Sequence, residues 1–171
     1  MPNFQDLREF LVLAKKATYA SGNKNIENKE IDGSTSLMFG DGDFKYHDNY
    51  FGGEPYGGRE VVFYKGKPTY IMVYYGFVNK DVDSINNVYS ILRKALSLIP
   101  EDYPYRGPKE LIDGSYRYSN KYFGEIDNFS GEEFIECNGK KIYEAKYFGG
   151  LIDQNREWDS KFLSLKIKII I

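Results

Sequence analysis

The sequence predicts an α+β fold: a duplicated αβββ unit forming one antiparallel sheet with two helices on one face, plus a C-terminal strand or helix. Three observations carry this. A stretch beginning at Asp41 recurs at Asp113. Inside both stretches aromatic residues fall at every second position, the spacing of a strand. Ahead of each stretch runs an apolar stripe with spacings of three and four, the spacing of a helix.

The recurrence is detailed. Asp41-Gly42-Asp43-Phe44-Lys45-Tyr46-His47-Asp48-Asn49-Tyr50-Phe51-Gly52 meets Asp113-Gly114-Ser115-Tyr116-Arg117-Tyr118-Ser119-Asn120-Lys121-Tyr122-Phe123-Gly124 at a step of 72, with 6 of 12 positions identical. After one inserted residue the step becomes 73: Gly58, Glu60, Gly66, Tyr70, Tyr74 and Gly76 meet Gly131, Glu133, Gly139, Tyr143, Tyr147 and Gly149. The expected organisation is one domain over 1–171 with an internal repeat, about 4–78 and 84–152, and an extension over 153–171.

The elements follow in order. Phe4, Leu7, Leu11, Ala14 and Thr18 form the first helical stripe, with Asn3 as N-cap and Gly22 just past the end. Ser21–Ser36 is long, polar and rich in Asn and Lys, and is expected to be a mobile insertion. Three strands are expected near 43–51, 60–65 and 67–75, the last two joined at Lys65-Gly66. Ile85, Val88, Leu92, Ala95 and Ile99 form the second helical stripe, which Pro100 stops. The second set of strands is expected near 115–123, 133–137 and 140–148, with Asn138-Gly139 as the hairpin. Asn-Gly is the strongest short hairpin signal, because a type I′ turn needs positive φ at both central residues. At the end, Leu163, Leu165, Ile167 and Ile169 alternate with polar residues as in a strand, while Trp158, Phe162, Leu165 and Ile169 fit a helix. The strict alternation and the isoleucines favour the strand.

Composition narrows the function. Lys and Arg total 23 against 25 Asp and Glu, a net charge of -2, which argues against a polyanion-binding surface. One Cys and one His exclude a disulfide framework and any zinc site needing several such ligands from one chain. No basic start leads an apolar run at the N-terminus, no stretch approaches the length of a membrane span, and a single Cys fits a reducing cytoplasm. The expected localisation is cytoplasmic, with no role for a membrane or nucleic acid.

The inward parity of both meanders is rich in Tyr, whose hydroxyls need partners when buried. Asp48/Asn120 and Glu60/Glu133 share that parity and are candidate acceptors. Ordinary strand tyrosines with wet tips, or a ligand-lined cleft, both satisfy this pattern. On the outward parity the two stretches differ: Val61, Phe63, Ile71 and Val73 meet Phe134, Glu136, Glu144 and Lys146. The apolar set is therefore expected to be covered, by the C-terminal segment, the long loop or a second copy of the chain. His47 has outward parity and Cys137 inward parity, so neither joins a catalytic set. Asp41, Asp43 and Asp48 lack the spacing of a calcium loop, and the Gly runs at 52–53, 57–58 and 149–150 lack a phosphate-loop pattern. Tyr103-Pro104-Tyr105-Arg106-Gly107-Pro108 is a stiff run that fixes one Arg, suited to an anion, an aromatic face or an internal acid such as Glu60 or Glu133.

Tyr50-Phe51-Gly52-Gly53, Gly58-Arg59-Glu60, Arg106-Gly107-Pro108, Ser130-Gly131-Glu132-Glu133 and Tyr147-Phe148-Gly149-Gly150 together resemble a bacterial domain family of unknown function. The resemblance covers about 4–152. Its members occur alone or behind a helix-turn-helix domain in regulator-like proteins, which implies a domain that senses, binds or dimerises. This chain begins at its first helix, so the free-standing form is expected. The family brings no established reaction and therefore no catalytic residue.

The expected function is a non-enzymatic module that binds, senses or sequesters a small ligand, best a nucleotide or another planar anionic metabolite. The expected ligand-binding residues are Tyr50, Arg59, Glu60, Tyr74, Arg106, Tyr122, Glu133 and Tyr147, and the expected interface residues are Val61, Phe63, Ile71 and Val73. No catalytic residue, metal or cofactor is expected. Two alternatives stand beside it: a protein-interaction or dimerisation module of antitoxin-like or scaffold type, and a carboxylate-based hydrolase built on Glu60 and Glu133.

Overall fold

A computed structural model describes residues 2–153. The expected strand or helix beyond Asp153 lies outside them. Helix α1 (Phe4–Ala17) starts where the Asn3 side chain accepts the Asp6 N–H, and Lys15 and Lys16 complement its negative end. Helix α2 (Ile85–Ser97) starts at Ser84, whose hydroxyl accepts the Asn87 N–H. The strands are β1 (Asn28–Lys29), β2 (Thr35–Asp41), β3 (Phe44–Gly52), β4 (Tyr56–Tyr64), β5 (Lys67–Val78), β6 (Glu110–Asp113), β7 (Tyr116–Glu125), β8 (Asn128–Cys137) and β9 (Lys140–Leu151). They form one antiparallel sheet in the order β1-β2-β3-β4-β5-β9-β8-β7-β6.

This corrects the expected fold. The described residues are dominated by one nine-stranded antiparallel sheet and do not form a duplicated αβββ unit with two helices on one face. The missed strands are β1, β2 and β6. In β2 the buried run Thr35, Ser36, Leu37 lacks alternation and continues a polar stretch, so its pairing with β3 has no local signature. Strand β6 is four residues long and pairs only with β7. Both are strands because β3 and β7 present open edges, a tertiary cause that overrides weak local propensity. The Ser21–Ser36 segment likewise is more than an insertion: it contains a 3-10 turn at Lys24–Ile26, strand β1 and the start of β2.

Local turn chemistry sets the hairpins. Lys65-Gly66 and Asn138-Gly139 both have positive φ at the two central positions. Each turn is preceded by a register shift, at Val62/Phe63 and at Ile135/Glu136. The central pairing joins β5 to β9, with Tyr74 opposite Tyr147.

The helices cover two different groups of strand residues. Leu7, Phe10, Leu11 and Ala14 of α1 pack with Tyr46, Val62, Tyr70 and Met72. Val88, Ile91, Leu92 and Ala95 of α2 pack with Val78, Tyr118, Ile135 and Tyr143. Two further groups of inward-pointing residues remain for the connecting segments: one around Tyr50 and Tyr56, the other around Tyr122 and Phe129. What covers them decides where the site lies. No helix among the described residues is long and apolar enough to cross a membrane.

Candidate functional site

Strands β3 and β4 set Asp48 directly opposite Glu60. Asp48 and Glu60 are each 4% exposed. Two carboxylates side by side away from water repel and lose hydration, so each needs compensation. Helix α1 supplies Lys15, whose Nζ stands 2.7 Å from Glu60 Oε2 and also donates to the Tyr105 carbonyl at 2.6 Å. Tyr74 Oη donates to Asp48 Oδ1 at 2.6 Å. Burial, reinforced by the Glu60 charge, pushes the Asp48 carboxyl up to about 7. Burial also lowers the Lys15 ammonium, against the pull of Glu60.

The Tyr74 contact explains a sequence motif. To reach Asp48 the Tyr74 ring crosses Gly58, where a Cβ would stand 2.7 Å from its Oη. The Tyr147 ring crosses Gly131 in the same way, and its Oη donates to Asn120 Oδ1 at 2.7 Å. Glycine is required at both positions because a ring lies against the backbone.

The Arg106 guanidinium goes to the other acid. Its Nε and Nη2 donate to Glu133 Oε1 at 3.1 and 2.5 Å. Tyr143 Oη donates to the same oxygen at 2.9 Å, and Tyr118 Oη donates to Oε2 at 2.6 Å. Glu133 is fully buried and saturated, a structural ion pair. Burial and the neighbouring carboxylates hold the Tyr46, Tyr74, Tyr118 and Tyr143 hydroxyls far above the ordinary phenol range, so they stay protonated and donate.

Around Tyr50 and Tyr56 lies a cavity of about 470 Å³. Asp48, Glu60 and Lys15 lie at its inner end, and Tyr19, Tyr50, Tyr56, Tyr74 and Tyr89 line it. Tyr56 Oη meets Tyr143 Oη at 2.5 Å, and Tyr89 Oη donates to Glu54 Oε2 at 2.6 Å. Glu54 also accepts the Val78 N–H at 2.8 Å. Lys24, Lys29 and Arg93 bring positive charge to the same cavity, and Glu27 and Glu54 negative charge. Lys29 donates to Thr35 Oγ1 at 2.6 Å. Lys24 and Arg93 have no carboxylate partner among the described residues.

The structure divides the residues expected to bind a ligand. Tyr50, Glu60, Tyr74 and Arg106 line the cavity. Arg59 is exposed on the strand neighbouring position and does not. Tyr122 packs on Tyr103, Glu133 lies behind Arg106, and Tyr147 is buried against Asn120. Sequence reasoning passed over Lys15, Asp48, Tyr56, Tyr89 and Arg93 as site residues. A signal existed for Lys15, a cation four residues after Leu11 on the apolar side of its helix, where charges are found only when paired. Of the expected interface residues, Val61 is buried and Phe63, Ile71 and Val73 are half-buried; at the matching positions Phe134, Glu136 and Glu144 are half-buried and Lys146 is exposed. His47 and Cys137 are half-buried and lie outside the cavity. No group of three or more His, Cys, Asp or Glu among the described residues is placed to hold a metal ion.

Residues 48–152 match the family model described as Domain of unknown function (DUF5680). No curated protein and no solved structure matches the chain.

Proposed function

Because the chain belongs to the DUF5680 family, whose description assigns no reaction, its function has to be argued from the cavity, and we propose a non-enzymatic module that binds a small planar anion, a nucleotide being the best candidate. One observation carries this. The cavity combines tyrosine rings on its walls with Lys24 and Arg93, two cations that have no carboxylate partner among the described residues. Two inner cations are matched: Lys15 with Glu60, and Arg106 with Glu133. Flat aromatic walls suit a ring, and unmatched cations suit a phosphate or carboxylate. On this proposal the two meanders are copies of one repeated pattern, and among the described residues only the first borders an open cavity. A binder of this kind senses or sequesters its ligand.

The test is a thermal-shift screen of the full chain against nucleoside monophosphates, followed by calorimetry. A ligand that binds only the native state raises the melting temperature. Binding that weakens about tenfold in Arg93→Ala is expected; no shift with any nucleotide rejects the proposal.

A second reading has its own observation. Phe51, Tyr75, Phe123 and Phe148, all on the outward parity, are each at least half exposed. Exposed aromatics of this number suit a protein partner or a second copy. Light scattering on the full chain tests it: a concentration-independent monomer removes the dimer.

A further inference from the structure

Resting on the binding proposal above, the inference concerns which edge of a ligand the cavity reads. The sheet pairs its residues alike on both sides of the β5–β9 contact. Asp48 faces Glu60 as Asn120 faces Glu133, and Tyr50 faces Gly58 as Tyr122 faces Gly131. The group around Tyr122 and Phe129 is therefore the structural counterpart of the cavity around Tyr50 and Tyr56.

That counterpart is filled by the chain itself. The segment after α2, Tyr103 to Gly107, lies in it. The Tyr105 ring stacks on Phe129 at 3.9 Å with an interplanar angle of 3°, and the Tyr103 ring lies 4.8 Å from Tyr122. Its backbone is read by the polar residues beside them. Asn120 Nδ2 donates to the Gly107 carbonyl at 2.8 Å, and the Gly107 N–H donates to Tyr118 Oη at 3.0 Å. The segment thus occupies its pocket as a ligand would: flat rings on two aromatic side chains, and a polar edge on the residue at position 120.

In the open cavity the matching groups meet no face-to-face ring and no carbonyl among the described residues; the Tyr74 and Tyr89 rings lie tilted, each 6.0 Å from Tyr56. Tyr56 stands where Phe129 does, and Tyr50 where Tyr122 does. Tyr50 stacks on no ring among the described residues. Asp48 stands where Asn120 does. Its Oδ1 accepts from Tyr74, as Asn120 Oδ1 accepts from Tyr147. Its other oxygen receives no hydrogen bond among the described residues. At Asn120 the second atom is an N–H donor and meets a carbonyl; at Asp48 it is an acceptor.

We propose that the cavity takes a flat heterocycle stacked against Tyr50 and Tyr56, with an exocyclic amino group donating to Asp48 and an anionic group at Lys24 and Arg93. The occupant is an amino-substituted nucleobase nucleotide rather than its oxo analogue. The carboxylate accepts and cannot satisfy a carbonyl at the same place, so the oxo analogue leaves two acceptors facing one another.

Two nucleotide pairs test this, since each exchanges an exocyclic amino group for an oxo group and the neighbouring ring acceptor for an N–H: cytidine against uridine monophosphate, and adenosine against inosine monophosphate. Calorimetry at pH 8, where an Asp48 carboxyl of about 7 is ionised, is expected to give about tenfold or greater preference for the amino member of at least one pair. Asp48→Asn copies the Asn120 arrangement and is expected to abolish or reverse that preference, while Arg93→Ala weakens both members alike. Equal affinities within both pairs, or a preference that survives Asp48→Asn, overturns the edge assignment and leaves the binding proposal standing. Absence of binding by all four nucleotides overturns both. Should Asp48→Asn fail to fold, Tyr50→Leu decides: the wild-type preference must hold and the variant must weaken both members of the pair, and a variant that binds as wild type overturns the inference.

Discussion

The two sides of the central β5–β9 pairing present the same backbone and finish it differently. On the β6–β9 side, Glu133 meets Arg106 and two tyrosine hydroxyls, and Tyr103 to Gly107 fill the space over Tyr122 and Phe129. On the β2–β5 side, Glu60 meets Lys15, a carboxylate replaces the amide at position 48, and the described residues leave the space over Tyr50 and Tyr56 open. One side is completed as core. The other keeps buried charge next to a cavity, which is where function is sought when polar groups are retained at the expense of packing.

That contrast breaks or sharpens under substitution. The largest effect is expected at the closed side. Glu133→Ala leaves the Arg106 charge uncompensated and the Tyr118 and Tyr143 hydroxyls without their acceptor, a loss of roughly 3–5 kcal/mol. Glu60→Ala is expected to cost less, because Lys15 keeps the Tyr105 carbonyl and borders a cavity that admits water. Urea denaturation of both variants checks the ranking, and equal losses would erase the distinction between the sides.

Rings should follow the same order. Phe129 is 3% exposed and stacked on Tyr70 and Tyr105, so Phe129→Ala is expected to cost about 3–5 kcal/mol. Tyr56 is half-buried with the cavity beside it, so Tyr56→Ala should cost roughly half as much or less. Thermal melts of the pair measure this.

The pH dependence is specific to the open side. The folded-state Asp48 carboxyl, at about 7, lies above the ordinary carboxyl value of 3.8. The native state therefore holds a proton that the unfolded chain has released between those values, and this contribution to stability falls as pH rises from about 4 to 7. Asp48→Asn removes it. The stability of the variant relative to wild type is expected to climb across that window and level off above it, read by denaturation at a series of pH values. A flat difference would place the Asp48 proton elsewhere.

The smallest stability effect is expected at Arg93. It is half-buried with no carboxylate partner among the described residues, so Arg93→Ala should change stability by no more than about 0.5 kcal/mol while reducing nucleotide binding. A large loss of stability would make Arg93 a structural residue.

Much of the local structure was legible in advance. Asn3 caps α1, the positive-φ pairs at Lys65-Gly66 and Asn138-Gly139 turn the hairpins, and alternation sends Tyr46, Tyr74, Tyr118 and Tyr147 inward. Strands β1, β2 and β6 were not legible, because they exist through pairing with an edge rather than through their own pattern. The candidate site was legible by half. Tyr50, Glu60, Tyr74 and Arg106 line the cavity, while Tyr122, Glu133 and Tyr147 occupy the corresponding positions on the filled side.

Sequence by itself determined what each short segment does: which residues cap, turn, alternate and face inward. These depend on backbone sterics and on hydrogen bonds between near neighbours. Tertiary structure alone decided that β5 pairs with β9, that Arg106 takes Glu133 while Lys15 takes Glu60, and that the described residues fill only one of two matching spaces. Glu60 and Glu133 each follow a glycine by two residues and share the inward parity, so their spacing does not say which cation each meets. Coulomb attraction between buried ions acts over a few ångströms, and which ions come that close is settled only when both helices and the Tyr103–Gly107 segment have packed.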